Sequence, residues 1–323
     1  MRPPLRGAGE GGAFLRVRSL LAVAAVVLLT ACAAPQATAL RGHSGGLPPA
    51  AEVAAVPFYA QTENYCGPAA LAMALTWSGL PASQEEVAAG VFTSGRDGTL
   101  SHDMIAAARR HGRLAVPVGS LEHLLAELAA GNPVVVFQNL GLSWYPVWHY
   151  AVAVGYDLTG GSIYLRSGVE RRAVMSLDTF EHTWARGGHW ALVVLPPDRL
   201  PVAAPEDEVV RAVTGLERAG RLAEAGQAYA LVVERWPRSL AGWIGLGNVR
   251  YAAGDAAGAE VAFREALERH PEAAAAWNNF AVALAKRGKR REALAAVTEA
   301  IRLRPDEPAY RQTLREIGAS AGG

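Results

Sequence analysis

The sequence predicts an α+β domain followed by an all-α array of repeats. Residues 51–197 place helical patterns first and short apolar strand-like runs second, the layout of an α+β domain. Pro196-Pro197-Asp198 to Pro205 is a proline-rich break, after which the composition changes. Beyond it, Pro237, Pro271 and Pro305 recur every 34 residues, in phase with Gly220, Gly254 and Gly288, with Ala225, Ala259 and Ala293, and with the pair Trp243 and Trp277.

At 323 residues, 51% hydrophobic and 19% charged, the chain is long enough for two domains. A formal net charge of +1 without a dense basic patch gives no electrostatic case for nucleic acid, so none is expected as a partner. Two cysteines cannot build a disulfide framework. His102 and His111 read as solvated, with no partner at metal-ligand spacing, so neither a metal nor a cofactor is expected.

Residues 1–32 read as a secretory signal, with Arg2, Arg6, Arg16 and Arg18 ahead of an apolar core, Leu20 to Leu29, that is too short to span a bilayer comfortably. Leu29-Thr30-Ala31-Cys32 resembles a bacterial lipobox. That resemblance implies cleavage before Cys32, lipidation of its thiol and attachment to the membrane through lipid only. Ala33 in the next position points to the outer membrane, facing the periplasm; ordinary signal cleavage is the alternative. Residues 33–50, small, polar and bearing Pro and Gly, read as a flexible tether.

Val56-Pro57-Phe58-Tyr59 reads as a short strand. Gly67-Pro68 opens a helix through Leu75, because proline favours the first helical turn. Ser78-Gly79-Leu80-Pro81 breaks it, and Ser83-Gln84-Glu85-Glu86 is a capping box for a second helix. Thr99 to Asp103 begins a third, running to Arg110, and Leu121 to Ala130 is amphipathic and ends at Gly131. Pro133 to Phe137 is the first buried strand. Tyr150 to Gly155, Ser162 to Arg166 and Trp190 to Leu195 follow, with a short helix near Leu177 to Trp184. The segment 198–205 is a linker, across which few core contacts are expected. Residues 206–318 are about three helix pairs of the tetratricopeptide type, with small residues where helices pack, proline closing each unit, and a concave surface for a protein partner.

Cys66 stands where the Gly67-Pro68 helix begins. The helix dipole there favours an anion, and the thiolate is the nucleophilic form. A buried structural cysteine is the plain alternative, but the flanking Gln61-Thr62-Glu63-Asn64 is polar. Gln61 lies where its amide could complete an oxyanion hole with the Cys66 backbone N–H, and His149 opens an apolar strand about eighty residues later. With Cys32 lipidated, Cys66 is the only free thiol of an exported chain.

Gln61 to Met73, with Cys66-Gly67-Pro68-Ala69, and His149 to Gly155 resemble the two active-site blocks of bacteriocin-processing-type cysteine peptidases, a papain-fold group. The likeness spans roughly Val56 to Pro197. Together with both ends of the chain it is similar to a bacterial lipoprotein subfamily that joins such a domain to tetratricopeptide repeats. It implies a papain-like cysteine peptidase domain, a helical half plus an antiparallel sheet, with Cys66 as nucleophile, His149 as general base and acid, and a peptide or protein substrate.

Which residue orients His149 follows from strand geometry. Asp157 lies eight extended residues on, on the order of 25 Å away, and reads as a turn residue. If Asp157 to Gly161 is a hairpin turn, Gly155 pairs near Ile163 and the returning strand reaches His149 around Ser167 to Glu170. Where the family would place Asp or Asn, this sequence has Arg166-Ser167-Gly168. Ser167 can accept from the imidazole N–H without supplying a carboxylate charge, and Glu170 is the second candidate. His189 reads as structural. Trp144, Tyr145 and Trp148 wall a substrate groove or belong to the core.

The leading functional expectation is a thiol hydrolase, most simply a peptidase. An acyl or amide transferase uses the same geometry. A non-catalytic scaffold lipoprotein, in which both domains bind protein, is the competing class, favoured by the missing carboxylate.

Overall fold

The structure, a computed structural model, describes residues 34–61, 65–91 and 99–319. The expected signal segment, Cys32 and Thr62-Glu63-Asn64 lie outside the described residues. The first half is built on one antiparallel sheet of β1 (Ala50–Glu52), β2 (Leu114–Val118), β3 (Val134–Asn139), β4 (Trp148–Asp157), β5 (Ser162–Ser167), β6 (Glu170–Ser176) and β7 (Ala191–Leu195). The strand order is β2-β7-β3-β4-β5-β6, with β1 paired to the far end of β4. With α1 (Pro35–Gly42), α2 (Cys66–Trp77), α3 (Gln84–Val91), α4 (Ser101–Arg110), α5 (Leu121–Ala129) and α6 (Leu177–Arg186), this is an α+β domain. Seven helices follow: α7 (Glu206–Arg218), α8 (Leu222–Arg235), α9 (Leu240–Ala252), α10 (Ala256–Arg269), α11 (Ala274–Lys286), α12 (Arg290–Leu303) and α13 (Pro308–Ala319).

Helix α2 is apolar on every side, and Gly67 to Leu75 are all buried, so it is a central helix packed on β4. Helix α3 starts at the expected capping box: Ser83 N–H donates to Glu86 at 2.9 Å and Glu86 N–H to the Ser83 hydroxyl at 3.2 Å.

Where residues 33–50 were expected to be a flexible tether, the described part, 34–50, is ordered against the domain. Ala37 and Leu40 of α1 are buried, and the Glu181 carboxylate, 3% exposed, accepts from the backbone N–H of Gln36 at 3.0 Å and of Ala37 at 2.7 Å. A helix N-terminus has unpaired donors and a buried carboxylate needs them, so the two ends satisfy each other. The Gln36 side chain in turn accepts from Leu121 N–H at 2.7 Å, the first residue of α5. Val56 to Tyr59 is irregular rather than a strand, and pairing begins instead at Ala50. Besides β1, two further strands were not expected. Leu114–Val118 pairs with β7, and Glu170–Ser176 is a largely exposed edge strand.

The repeats are three helix pairs followed by α13. Gly220, Gly254 and Gly288 have φ of 75°, 86° and 76°, the left-handed bend each turn needs, and Ala225, Ala259 and Ala293 are fully buried where helices approach. Trp243 Nε1 donates to the Pro237 carbonyl at 2.9 Å, and one period later Trp277 Nε1 donates to Pro271 at 2.8 Å. In the next period the Arg311 guanidinium makes the same bond to Pro305 at 2.7 Å.

The junction departs from the sparse contact expected. Val209, Val213 and Leu216 of α7 are fully buried in the same apolar core as Leu114 and Val116 of β2. Gly215 lets the Arg109 guanidinium lie flat on α7, since a Cβ there would stand 2.4 Å from it. The segment 198–205 is fastened by Ala203 N–H to the buried Glu127 carboxylate at 3.0 Å and by Arg199 to the Ala130 carbonyl at 2.6 Å. Eight residues rich in proline lie against the domain because their backbone groups find partners there.

Candidate active site

Cys66 is the first residue of α2, with its thiol half-buried and unbridged. The next residue must be glycine: a Cβ at Gly67 would stand 2.7 Å from the Thr99 side chain. Thr99 thus presses against the start of α2, and its buried hydroxyl has no hydrogen-bond partner among the described residues.

His149 is the second residue of β4, the strand on which α2 packs. Its Nε2 lies 2.8 Å from the Ser167 hydroxyl, so the strand geometry brings these two together as expected. The hairpin register differs by one residue: Gly155 pairs with Tyr164, because a bulge falls between Ala153 and Gly155. Burial lowers the His149 pKa from its ordinary value, so the ring is neutral at pH 7. In the tautomer with Nε2–H donating to Ser167, Nδ1 is a lone-pair base. No hydrogen bond joins Cys66 to His149 among the described residues.

Tyr150 was missed by the sequence reading. Alternation along a strand turns it away from its neighbour His149. Its hydroxyl donates to the Thr99 carbonyl at 3.3 Å and lies 3.3 Å from the Ser101 hydroxyl. Burial pushes its pKa up to about 12, the Ser101 bond opposes this, and the charges of Cys66 and Asp103 add to it. A protonated phenol therefore sits in the field of the thiol. The apolar run Tyr150 to Val154 was the one signal available for this placement.

The Gln61 amide is fastened to the domain, with one of its two N–H groups already engaged. Its Nε2 donates to the Tyr150 carbonyl at 3.2 Å, its Oε1 accepts from Gly168 N–H at 3.0 Å, and its backbone N–H donates to the Gly168 carbonyl at 2.9 Å. Both ends of the amide are engaged, so Gln61 buckles the approach to Cys66 onto the turn beyond Ser167.

The remaining candidates sit elsewhere. Asp157 accepts from Gly160 N–H at 2.9 Å in the β4–β5 turn, and Glu170 is an exposed residue at the start of β6. His189 has φ of 52° and lies edge-on to Trp184 at 4.9 Å, a turn position before β7. Trp144 and Tyr145 are not core, being 80% and 74% exposed, while Trp148 is half exposed and stacks on Phe137 at 5.2 Å. No group of three or more His, Cys, Asp or Glu among the described residues could hold a metal. On the repeats, a hollow of about 300 Å³ is lined by Glu217, Asn248, Tyr251, Phe263, Asn279 and Val282.

Residues 53–191 match the model of the Peptidase_C39 like family, and residues 250–317 match that of the tetratricopeptide repeat. The chain joins a C39-like peptidase domain to tetratricopeptide repeats. Among solved structures, a protein of Bacillus anthracis assigned to C39-like peptidases is 20% identical, covers 45% of this chain and 97% of its own, and has a TM-score of 0.39. The first repeat domain of Spaghetti (RPAP3) bound to the HSP90 peptide SRMEEVD is 16% identical over 36% of this chain and 94% of its own, with a TM-score of 0.35. The first repeat domain of human RPAP3 is 17% identical over 35% of this chain and 89% of its own, with a TM-score of 0.34. No curated protein matches the chain.

Proposed function

We propose that the C39-like domain is a cysteine peptidase in which the Cys66 thiol attacks a peptide carbonyl and His149 takes the thiol proton through Nδ1, then returns it to the leaving amine. The observation that carries this reading is the 2.8 Å bond between His149 Nε2 and Ser167, which holds the ring at the head of the strand beside α2. Because burial keeps the imidazole neutral, it acts as a general base rather than as the cation of a standing ion pair. Stabilisation of the acyl oxyanion falls to the Cys66 backbone N–H, with the unpartnered Thr99 hydroxyl as the nearby candidate donor in place of Gln61.

The repeats hold a protein partner or the substrate itself, and Cys32 anchors the chain by lipid at the cell envelope, on the periplasmic face of the outer membrane. Labelling with an iodoacetamide or epoxysuccinyl probe, with Cys66→Ala and His149→Ala as controls, tests the catalytic part. Reaction confined to the wild-type thiol is expected, and labelling independent of His149 overturns it. The engaged Gln61 amide favours a second reading, a peptidase-like scaffold that binds extended chains without cutting them. Peptide binding that persists in Cys66→Ala alongside absent turnover in the wild type would select that reading.

A further inference from the structure

We infer that the β3–β4 hairpin is a second, non-covalent attachment to a lipid surface, reached through its aromatic tip. Residues 140–148, Leu-Gly-Leu-Ser-Trp-Tyr-Pro-Val-Trp, contain no charged side chain. Trp144 is 80% exposed, Tyr145 74%, and Leu142, Val147 and Trp148 about half. Val169, 80% exposed in the β5–β6 turn, stands at the same end of the sheet, because Arg166 pairs with Val152 and the turn lies beside the start of β4. A patch of this size on one end of a domain marks an interaction surface. Its composition, Trp and Tyr among aliphatics, suits the boundary between lipid headgroups and acyl chains.

The tip is held rigid from below. The Asn139 side chain, 2% exposed, accepts from the backbone N–H of Gly141 at 3.0 Å and of Val147 at 2.9 Å, and Leu142 bridges to Tyr145. The rings therefore project outward as a fixed wedge.

The place where the chain leaves the described residues selects a membrane as the occupant. Ala34 is followed by α1, whose first N–H groups sit on Glu181 of α6. Five residues along that helix, about 8 Å, Arg186 donates to the Asn139 carbonyl at 3.1 Å, at the base of the hairpin. Residues 1–33, with the apolar run Leu20 to Leu29 and Cys32, thus join the domain at the end of α1 that faces the hairpin, since Arg41 at the other end pairs with Asp178. The choice of a membrane rests on the proposed N-terminal anchoring, and it does not require peptidase activity.

The test is tryptophan quenching in the full chain on vesicles of phosphatidylethanolamine and phosphatidylglycerol with brominated acyl chains. All eight tryptophans lie outside residues 1–33, so the N-terminal segment contributes no signal. Quenching is expected in the wild type, undiminished at high salt since the tip is uncharged, with a large loss of the quenched fraction in Trp144→Phe. Equal quenching in the wild type and the variant overturns the inference. So does absent quenching in the wild type, and a raised KM for a soluble peptide in Trp144→Ser would then make the tip a substrate wall.

Discussion

His149 is held by a hydroxyl where a carboxylate would complete a charged triad: its Nε2 lies 2.8 Å from Ser167 Oγ. A hydroxyl fixes the ring but does not stabilise imidazolium. Ser167→Ala removes one neutral hydrogen bond, worth about 1 kcal/mol, so Cys66 alkylation should slow roughly fivefold. Ser167→Asp should raise the His149 pKa and shift Cys66 reactivity to lower pH. The pH profile of alkylation checks both, and an unchanged profile in Ser167→Asp would detach Ser167 from the site.

The buried, uncharged ring also sets a pH dependence of stability. His149 has a folded pKa below its unfolded value of about 6.5, so the folded state binds fewer protons. Its contribution is complete above that value and is lost as pH falls through the folded pKa. His111 is shifted the same way, by burial first and then by Arg110, Arg221 and Arg113. Melting measured from pH 7.5 down to 5 should fall more steeply in the wild type than in His149→Gln. Parallel curves would refute the buried neutral ring.

Gln61 separates a fastening role from an oxyanion role. Gln61→Ala would strand Gly168 N–H and the Tyr150 carbonyl, costing about 1–3 kcal/mol for each buried group left without water or another partner. A lower melting temperature with a proportionate loss of thiol reactivity is expected. A large loss of turnover at unchanged melting temperature would return Gln61 to the oxyanion.

Features written locally were legible in the sequence: the Ser83 and Glu86 box, the repeat glycines, prolines and alanines, and the helix start at Gly67-Pro68. So was the meeting of His149 with Ser167, because strand pairing is close to arithmetic, though the bulge that shifted the register by one had no local mark. What escaped depends on distant partners. Helix α1 looks like a tether until Glu181, more than 140 residues on, supplies its acceptors. Gln61 looks available until Gly168 closes on it. Leu114 to Val118 contains a proline at position 117 and gains its strand character from β7.

The repeats are expected to be part of what keeps the thiol domain folded. Burying Val209, Val213 and Leu216 against β2 is worth about 1.5–3 kcal/mol for each side chain, against a whole-domain stability of about 5–15 kcal/mol. Removing residues 206–323 also bares Arg109, whose Nε is already buried without a partner. A chain ending at residue 205 should therefore melt far lower than the full chain, or aggregate. One ending at residue 270 should keep its Cys66 reactivity, because the helices beyond α10 share no apolar cluster with the thiol domain. Thermal melting and probe labelling of the two truncations decide this. Equal melting temperatures for the residue-205 truncation and the full chain would mean that the buried face of α7 contributes nothing to the fold of the domain it covers.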